Sequence, residues 1–317
     1  MRYRVSIVGA GQLGSRYLQG LATITLPLEI YVIDSSADAL SRADARWKEV
    51  AKANYLHHVT FLRNLNAMPS QIDLVIVSTS SDVRVNVVRE LTNNRSIKNW
   101  VLEKVLAQSE SDLVEIELLI AKGVRAWVNT PMYLQPLYKS LRERFTDNSP
   151  IDVCFEGLTG LACNAIHFID FVSRWNSSML ILVDTNGLLD NWRPAKREKF
   201  FEVYGQLRMY FDDGSKLELI SIPDDSNYRG RVMVNDEDWE IFESKGIANS
   251  KSGQVIMEVS LFQSQLTGPL VETILLTGSC DLPSLSESVV QHSLFINELL
   301  AHWNRNMPDK RSKLPIT

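Results

Sequence analysis

Met1-Arg-Tyr-Arg-Val-Ser-Ile-Val-Gly9-Ala-Gly11-Gln12-Leu13-Gly14 runs an apolar strand straight into a Gly-x-Gly-x-x-Gly triplet, and an acidic residue, Asp34, stands twenty positions beyond the last glycine. Each glycine has a mechanical task. Gly9 allows the tight turn off the strand, Gly11 lets bare backbone approach a pyrophosphate, and Gly14 lets the following helix pack close to the sheet. The phosphates would then meet the helix N-terminus at Gln12 and Leu13, where unpaired N–H groups and the positive dipole end favour an anion. Asp34 ends a second apolar run, 28–33, where a carboxylate can accept hydrogen bonds from ribose hydroxyls. A 2′-phosphate there would be repelled, which points to NAD. Ser35, Ser36 and Arg42 lie close enough in sequence to keep NADP open.

Outward from this stretch, strand and helix alternate to about residue 128. Helix is expected over 37–52, strand at 59–62, strand at 73–79, helix at 81–93 and strand at 100–103. Ser109-x-x-Asp112 reads as a capping box for a helix running to Lys122 with Gly123 as its stop, and 124–129 closes the series. This rhythm predicts an α/β fold with a Rossmann doubly wound parallel sheet as a dinucleotide-binding domain over 1–128. Residues 129–317 read as an α+β substrate and oligomerisation domain with a large, mostly antiparallel sheet. Its expected elements are a strand at 151–156, a helix at 164–175, a hairpin at Asp213-Gly214, further strands at 231–235, 239–243, 254–264 and 271–277, and a helix at about 284–303 before a polar, irregular tail. An open sheet face needs cover, so a homo-oligomer is expected.

At 317 residues, 45% hydrophobic and 22% charged, the chain has material for two cores, and its net charge of -5 argues against a nucleic-acid binder. Cys154, Cys163 and Cys280 are too widely spaced for a disulfide framework or a zinc site, so no metal is expected. With no apolar stretch approaching 18 residues and a core strand at the start, neither a membrane span nor a signal peptide is expected, and the reading is cytoplasmic.

Two segments could carry chemistry. Glu103-Lys104 follows a parallel strand, at the sheet edge where ligands of open α/β folds bind. An ammonium there could exchange the proton that accompanies hydride transfer, although on spacing alone a solvated surface lysine is the better reading. Asn164-Ala-Ile-His167-Phe-Ile-Asp170 places three polar groups at i, i+3 and i+6 of an apolar helix. His167 could relay a proton and Asp170 orient its ring, or the three could form a solvated stripe. Trp175, Trp192, Arg193 and Lys196 could line a sugar pocket or simply pack and solvate.

Together, the fingerprint, a Thr-bearing strand end, Glu-Lys after the next strand and a His-x-x-Asp helix resemble the Gfo/Idh/MocA oxidoreductase family over the whole chain. The family's Glu-Lys-Pro reads Glu103-Lys104-Val105 here, and its Thr-Pro-Asn-x-x-His cofactor loop reads Thr79-Ser80-Ser81-x-x-Arg84. The resemblance implies that Lys104 is catalytic with His167, Asn164 and Asp170, and that Ser78, Thr79, Ser80, Arg84 and Glu103 lie along the cofactor. The family's Asp four residues before the histidine is Cys163 in this chain. Segments 163–170, 282–288 and 314–317 also resemble a branch associated with surface-polysaccharide gene sets. The implied activity is hydride transfer between NAD(P) and a secondary alcohol or ketone of a sugar, cyclitol or nucleotide sugar. Two alternatives stand beside it: a dinucleotide-binding protein without dehydrogenase activity, and a non-redox enzyme using tightly bound NAD.

Overall fold

The computed structural model describes residues 2–50, 56–120, 123–145, 148–223 and 228–317. These divide into two compact units, one of Met1–Leu106, Val114–Asn129 and Leu261–Ser286, the other of Ala107–Leu113, Thr130–Ser260 and Glu287–Thr317.

Strands β1 (Tyr3–Val8), β2 (Leu28–Ile33) and β3 (His58–Leu62) are followed by the short β4 (Gln71–Ile72), β5 (Leu74–Val77), the short β6 (Ser96–Ile97), β7 (Asn99–Glu103) and β8 (Arg125–Asn129). Between them run α1 (Gln12–Leu21), α2 (Ala37–Val50), α3 (Ser81–Asn94) and α4 (Glu110–Leu119). Six strands form one wholly parallel sheet in the order β3-β2-β1-β5-β7-β8, the doubly wound arrangement, while β4 and β6 pair separately. Every residue of β5 and β7 is buried, which is why their sequences are nearly unbroken in apolar character. The expected helix ends at 51–52 and 121–122 lie outside the described residues. At α4 the Ser109 hydroxyl accepts the Asp112 N–H at 3.3 Å, but the Asp112 carboxylate turns to Lys313 at 2.7 Å and does not close a capping box.

Residues 271–277 are not a strand. They end helix α7 (Gln263–Thr277), whose apolar positions Leu266, Leu270 and Ile274 recur every four residues and are buried. The run Val271-Glu-Thr-Ile-Leu-Leu is rich in β-formers, but packing against α1 overrides that propensity. Gly20 and Gly268 permit the contact: a Cβ on Gly20 would come within 2.5 Å of the Ser264 carbonyl, and one on Gly268 within 2.1 Å of Thr23 Oγ1. Residues 261–286, assigned by sequence to the second domain, therefore cluster with the dinucleotide-type sheet.

The second unit contains α5 (Pro136–Arg142), β9 (Ile151–Glu156), α6 (Ala165–Asn176), β10 (Leu180–Leu188), β11 (Arg193–Pro194), β12 (Phe201–Glu202), β13 (Gly205–Phe211), β14 (Lys216–Ser221), β15 (Arg229–Val234), β16 (Glu237–Phe242), β17 (Ile247–Ser250), β18 (Val255–Met257) and α8 (Leu285–Asn306). Eight strands form a sheet in the order β10-β13-β14-β9-β15-β16-β17-β18, antiparallel except for β14 with β9. The Asp213-Gly214 turn joins β13 to β14, with Gly214 at φ +90. On one face Phe155 of β9 meets Phe168 of α6 with ring centroids 4.7 Å apart, and Tyr138 of α5 meets Phe171 at 4.8 Å. The other face is polar, with Arg231 paired to Asp238 at 2.6 Å and Arg208 to Glu218 at 2.9 Å. The tail is irregular as expected but not polar throughout: Leu314 and Ile316 are fully buried, and the Leu314 N–H donates to the Gln108 carbonyl at 2.8 Å.

Among the described residues no helix is long and apolar enough to cross a membrane, and no group of three or more His, Cys, Asp or Glu could hold a metal ion.

Candidate active site

Because the first sheet is wholly parallel, the loops after β1, β2, β5 and β7 share its carboxyl edge, and these loops carry Gly9, Asp34, Ser78 and Lys104. Gly9 sits at φ +98, a conformation that favours glycine, and a Cβ on it would lie 3.0 Å from the backbone of Ser78 and Thr79. A Cβ on Gly14 would meet the Gly9 carbonyl at 1.8 Å and Ser78 Oγ at 2.7 Å, so this glycine sets the approach of α1. Gly11 differs. Nothing lies within 4 Å of a Cβ there, although the residue caps α1, so its openness faces a space and not a neighbour. Asp34 accepts the N–H groups of Ala10 at 2.7 Å and Ser36 at 2.8 Å, which holds its carboxylate at the turn. The Ser78 hydroxyl donates to the Gly9 carbonyl at 2.7 Å and ties the two loops together. An open glycine at a helix N-terminus, with a carboxylate fixed one loop away, fits a dinucleotide: α1 for the pyrophosphate and Asp34 for the adenosine ribose.

Two basic residues that the sequence reading did not single out border this cradle. The Arg46 guanidinium donates to Gln12 Oε1 at 2.8 Å, and Arg63 donates to the Ser35 carbonyl at 2.7 Å. Ser35 is exposed, while Leu13, Thr79 and Ser80 are half-buried. Arg84 is 1% exposed, and its guanidinium donates to the carbonyls of Thr79, Val105 and Leu106. It therefore clamps the loop that follows β7 from within, a buried role that the exposed-cofactor expectation did not anticipate.

Glu103 is also buried. Its Oε1 accepts from the Tyr17 hydroxyl and from Asn129 Nδ2, the latter at 2.8 Å. Burial pushes the Glu103 carboxyl up, opposed by these donors and by the charges of Lys104 and Arg84. Burial and the adjoining carboxylate push Tyr17 well above its usual range. Lys104 itself is half-buried, and its peptide bond to Val105 is cis.

In the second unit, α6 carries Asn164 at its N-cap and His167 one turn on, and both line a cavity of about 440 Å³. Gln135, Phe168, Tyr228 and Glu243 complete its chemistry. The Asn164 amide donates to the Gly160 carbonyl at 3.3 Å. The Tyr228 hydroxyl donates to Glu243 Oε2, and burial pushes both groups up. Tyr228 and Glu243 gave no signal in the sequence, because each reads as an ordinary strand-end residue.

Asp170 does not join Asn164 and His167. It is fully buried, does not line the cavity, and accepts the Thr130 hydroxyl at 2.9 Å. Burial pushes its carboxyl up to about 7, against the opposing charge of Arg174. The helix explains this: successive steps of three residues each rotate by about 300°, so the third group has swung some 120° away from the first. Cys163 is buried, and its N–H, with that of Ala162, points to Glu202 Oε2, at 3.4 and 2.9 Å. Trp175 and Trp192 are buried in aromatic clusters, and Arg193 and Lys196 are exposed; none of the four lines the cavity.

No curated protein matches the sequence. Solved structures do match the fold. UDP-N-acetylglucosamine 3-dehydrogenase from Acidithiobacillus ferrooxidans is 10% identical with a TM-score of 0.72, covering 94% of this chain and 96% of that one. Scyllo-inositol dehydrogenase from Lactobacillus casei, with NAD(H) and scyllo-inositol bound, is 14% identical at 0.65, covering 94% and 96%. A super-repressor mutant of Gal80p from Saccharomyces cerevisiae is 14% identical at 0.71, covering 95% and 96%. Residues 3–130 match the family model described as the oxidoreductase family with an NAD-binding Rossmann fold. Residues 3–130 thus match the NAD-binding Rossmann domain of the Gfo/Idh/MocA oxidoreductase family, and the rest of the chain shares its fold with the solved structures above.

Proposed function

We propose that the protein is an NAD(P)-dependent oxidoreductase acting on a secondary alcohol or ketone of a sugar, cyclitol or nucleotide sugar. The observation that carries this reading is the fitted cradle at the carboxyl edge of the first sheet, with Lys104 one loop beyond it. Gly9, Gly11 and Gly14 would seat the pyrophosphate through backbone N–H groups, and Asp34 the ribose. Bound nicotinamide supplies or accepts the hydride. Lys104 is the residue that exchanges the alcohol proton. His167 and Asn164 offer hydrogen bonds to hydroxyls from the second unit's own cavity. Asp170, buried against Thr130, positions α6 without touching substrate. Asp34 favours NAD over NADP, and the polar face of the eight-stranded sheet is the surface of a homo-oligomer. The similar proteins support the substrate class, since their names include a nucleotide-sugar and a cyclitol dehydrogenase. Titration with NAD and NADP, followed by a turnover screen on sugars, cyclitols and nucleotide sugars, tests the reading; absence of binding by either cofactor overturns it.

Cys163 favours a second reading. The carboxylate of the family pattern is missing at this position, and the dinucleotide would serve as structure or signal. If the wild type reduces no cofactor on any substrate of the screen while Cys163→Asp does, this second reading replaces the first.

A further inference from the structure

Three loops at the carboxyl edge of the first sheet are joined side to side. The Ser78 hydroxyl donates to the Gly9 carbonyl at 2.7 Å, so the loop after β5 is fixed to the loop after β1. One residue on, the Thr79 carbonyl accepts from Nη2 of Arg84, while Nη1 donates to the Val105 carbonyl and, at 3.0 Å, to the Leu106 carbonyl. Val105 and Leu106 directly follow Lys104. One guanidinium thus reaches from the cradle's loop to the lysine's own. Arg84 closes the first turn of α3 and is 1% exposed, and a charge withdrawn from water to that degree is costly to keep unless its donors are well placed. These donors go to loop carbonyls, where a planar, rigid fork can hold two loops at once and a lysine ammonium on a flexible stem could not. The charge acts as well. It opposes the burial that pushes up the carboxyl of Glu103, the residue before Lys104.

We propose that Arg84 is a positioning residue, which sets where Lys104 stands relative to the dinucleotide cradle by tying the loop after β7 to the loop after β5. It acts through Lys104 and not on the reacting atoms. Proton transfer depends steeply on placement, and a misplacement of about 1 Å can cost about 10²-fold in rate, so loss of the fork falls on turnover and spares the cradle's grip on the cofactor. This rests on the oxidoreductase reading for the task of Lys104, but two of its tests need no turnover.

The experiment uses the full chain saturated with NAD. With the arginine side chains isotope-labelled for NMR, the wild type should show the Nη protons of Arg84, identified by their contacts to Val105 and Leu106, resolved from one another, because a guanidinium held on two sides cannot rotate freely. Averaged Nη protons overturn the proposal, whether or not any variant folds. Arg84→Lys, which keeps the charge without the fork, and Arg84→Gln should each lower kcat about 10- to 100-fold on the substrate found by the turnover screen, with KM and the calorimetric NAD affinity within about threefold of wild type. Unchanged kcat in a folded variant, or NAD affinity that falls in step with turnover, overturns it. The third reading is Lys104 itself. With the lysines reductively methylated by labelled formaldehyde and Lys104 identified through Lys104→Arg, its methyl signal should move in Arg84→Gln while those of the other lysines stay in place. A stationary Lys104 signal, or one that moves only along with all the others, overturns the proposal. If the wild type turns over nothing yet the Lys104 signal moves alone, the oxidoreductase reading fails and the placement of Lys104 by Arg84 stands.

Discussion

The cradle of the first unit is made of backbone, whereas the cavity of the second is made of side chains. Gly9, Gly11, Gly14 and the N–H groups of Ala10 and Ser36 do the shaping in the first, and only Asp34 projects a functional group. In the second, imidazole, amide, phenol and carboxylate converge from α6, the residue before α5 and the ends of two strands. A backbone site accepts one kind of ligand and tolerates little change, because removing a hydrogen atom's worth of space moves the chain. A side-chain site can be rewritten residue by residue without disturbing the backbone that frames it.

Four measurements press on that contrast. The largest effect belongs to Lys104→Ala, which should reduce turnover by roughly 10²–10⁴ while leaving NAD affinity nearly intact; stopped-flow kinetics beside a cofactor titration will show whether the two separate. Asp34→Ala should weaken NAD by about 1.5–3 kcal/mol, the range for a hydrogen bond to a charged group, and an unchanged calorimetric affinity would mean the ribose is held elsewhere. The two glycines divide the cradle further. Gly14→Ala should lower stability by about 1–3 kcal/mol or more, since its Cβ overlaps the Gly9 carbonyl, whereas Gly11→Ala should leave Tm unchanged and weaken NAD alone. Equal behaviour of the two in thermal melts and titrations would erase the distinction between a packing glycine and a ligand glycine. The fourth measurement concerns α6. Asp170 titrates at about 7 when folded and near the ordinary carboxylate value when unfolded, so between about pH 4 and 7 the native state holds the extra proton. Stability should therefore fall as pH rises through that window, by up to about 1.4 kcal/mol per pH unit, and Asp170→Asn should flatten the profile of Tm against pH.

The same contrast governs what the sequence made legible. The Gly-x-Gly-x-x-Gly stretch is readable because a positive φ at Gly9 and a Cβ-free contact at Gly14 each demand glycine, whatever the surroundings. The parallel sheet was readable from the alternation of strand and helix and from the buried apolar run at β5. Strand β10 was not: its register shifts between Leu180 and Leu182 and again between Asp184 and Gly187, so the alternation that marks a strand is broken twice. The apolar run of α7 fits either period until α1 is placed beside it. His167 and Asn164 could be paired from helical spacing, but Asp170 could not be excluded without knowing which face α6 buries. Tyr228 and Glu243 lie 15 positions apart across a strand pair and meet α6 only through the sheet, a juxtaposition that no local pattern encodes.

The intrusion of α7 into the first unit has a consequence for synthesis. The α1 face around Gly20 and Thr23 is covered only when Ser264, Thr267 and Gly268 arrive, and β8 gains its contacts to Pro283 and Ser284 later still. On the ribosome, then, the dinucleotide-type sheet emerges early but remains incomplete until nearly nine-tenths of the chain has been made. A fragment cut at the sequence boundary near residue 128 would display an unburied helix face and a β8 lacking these partners, and such surfaces invite aggregation.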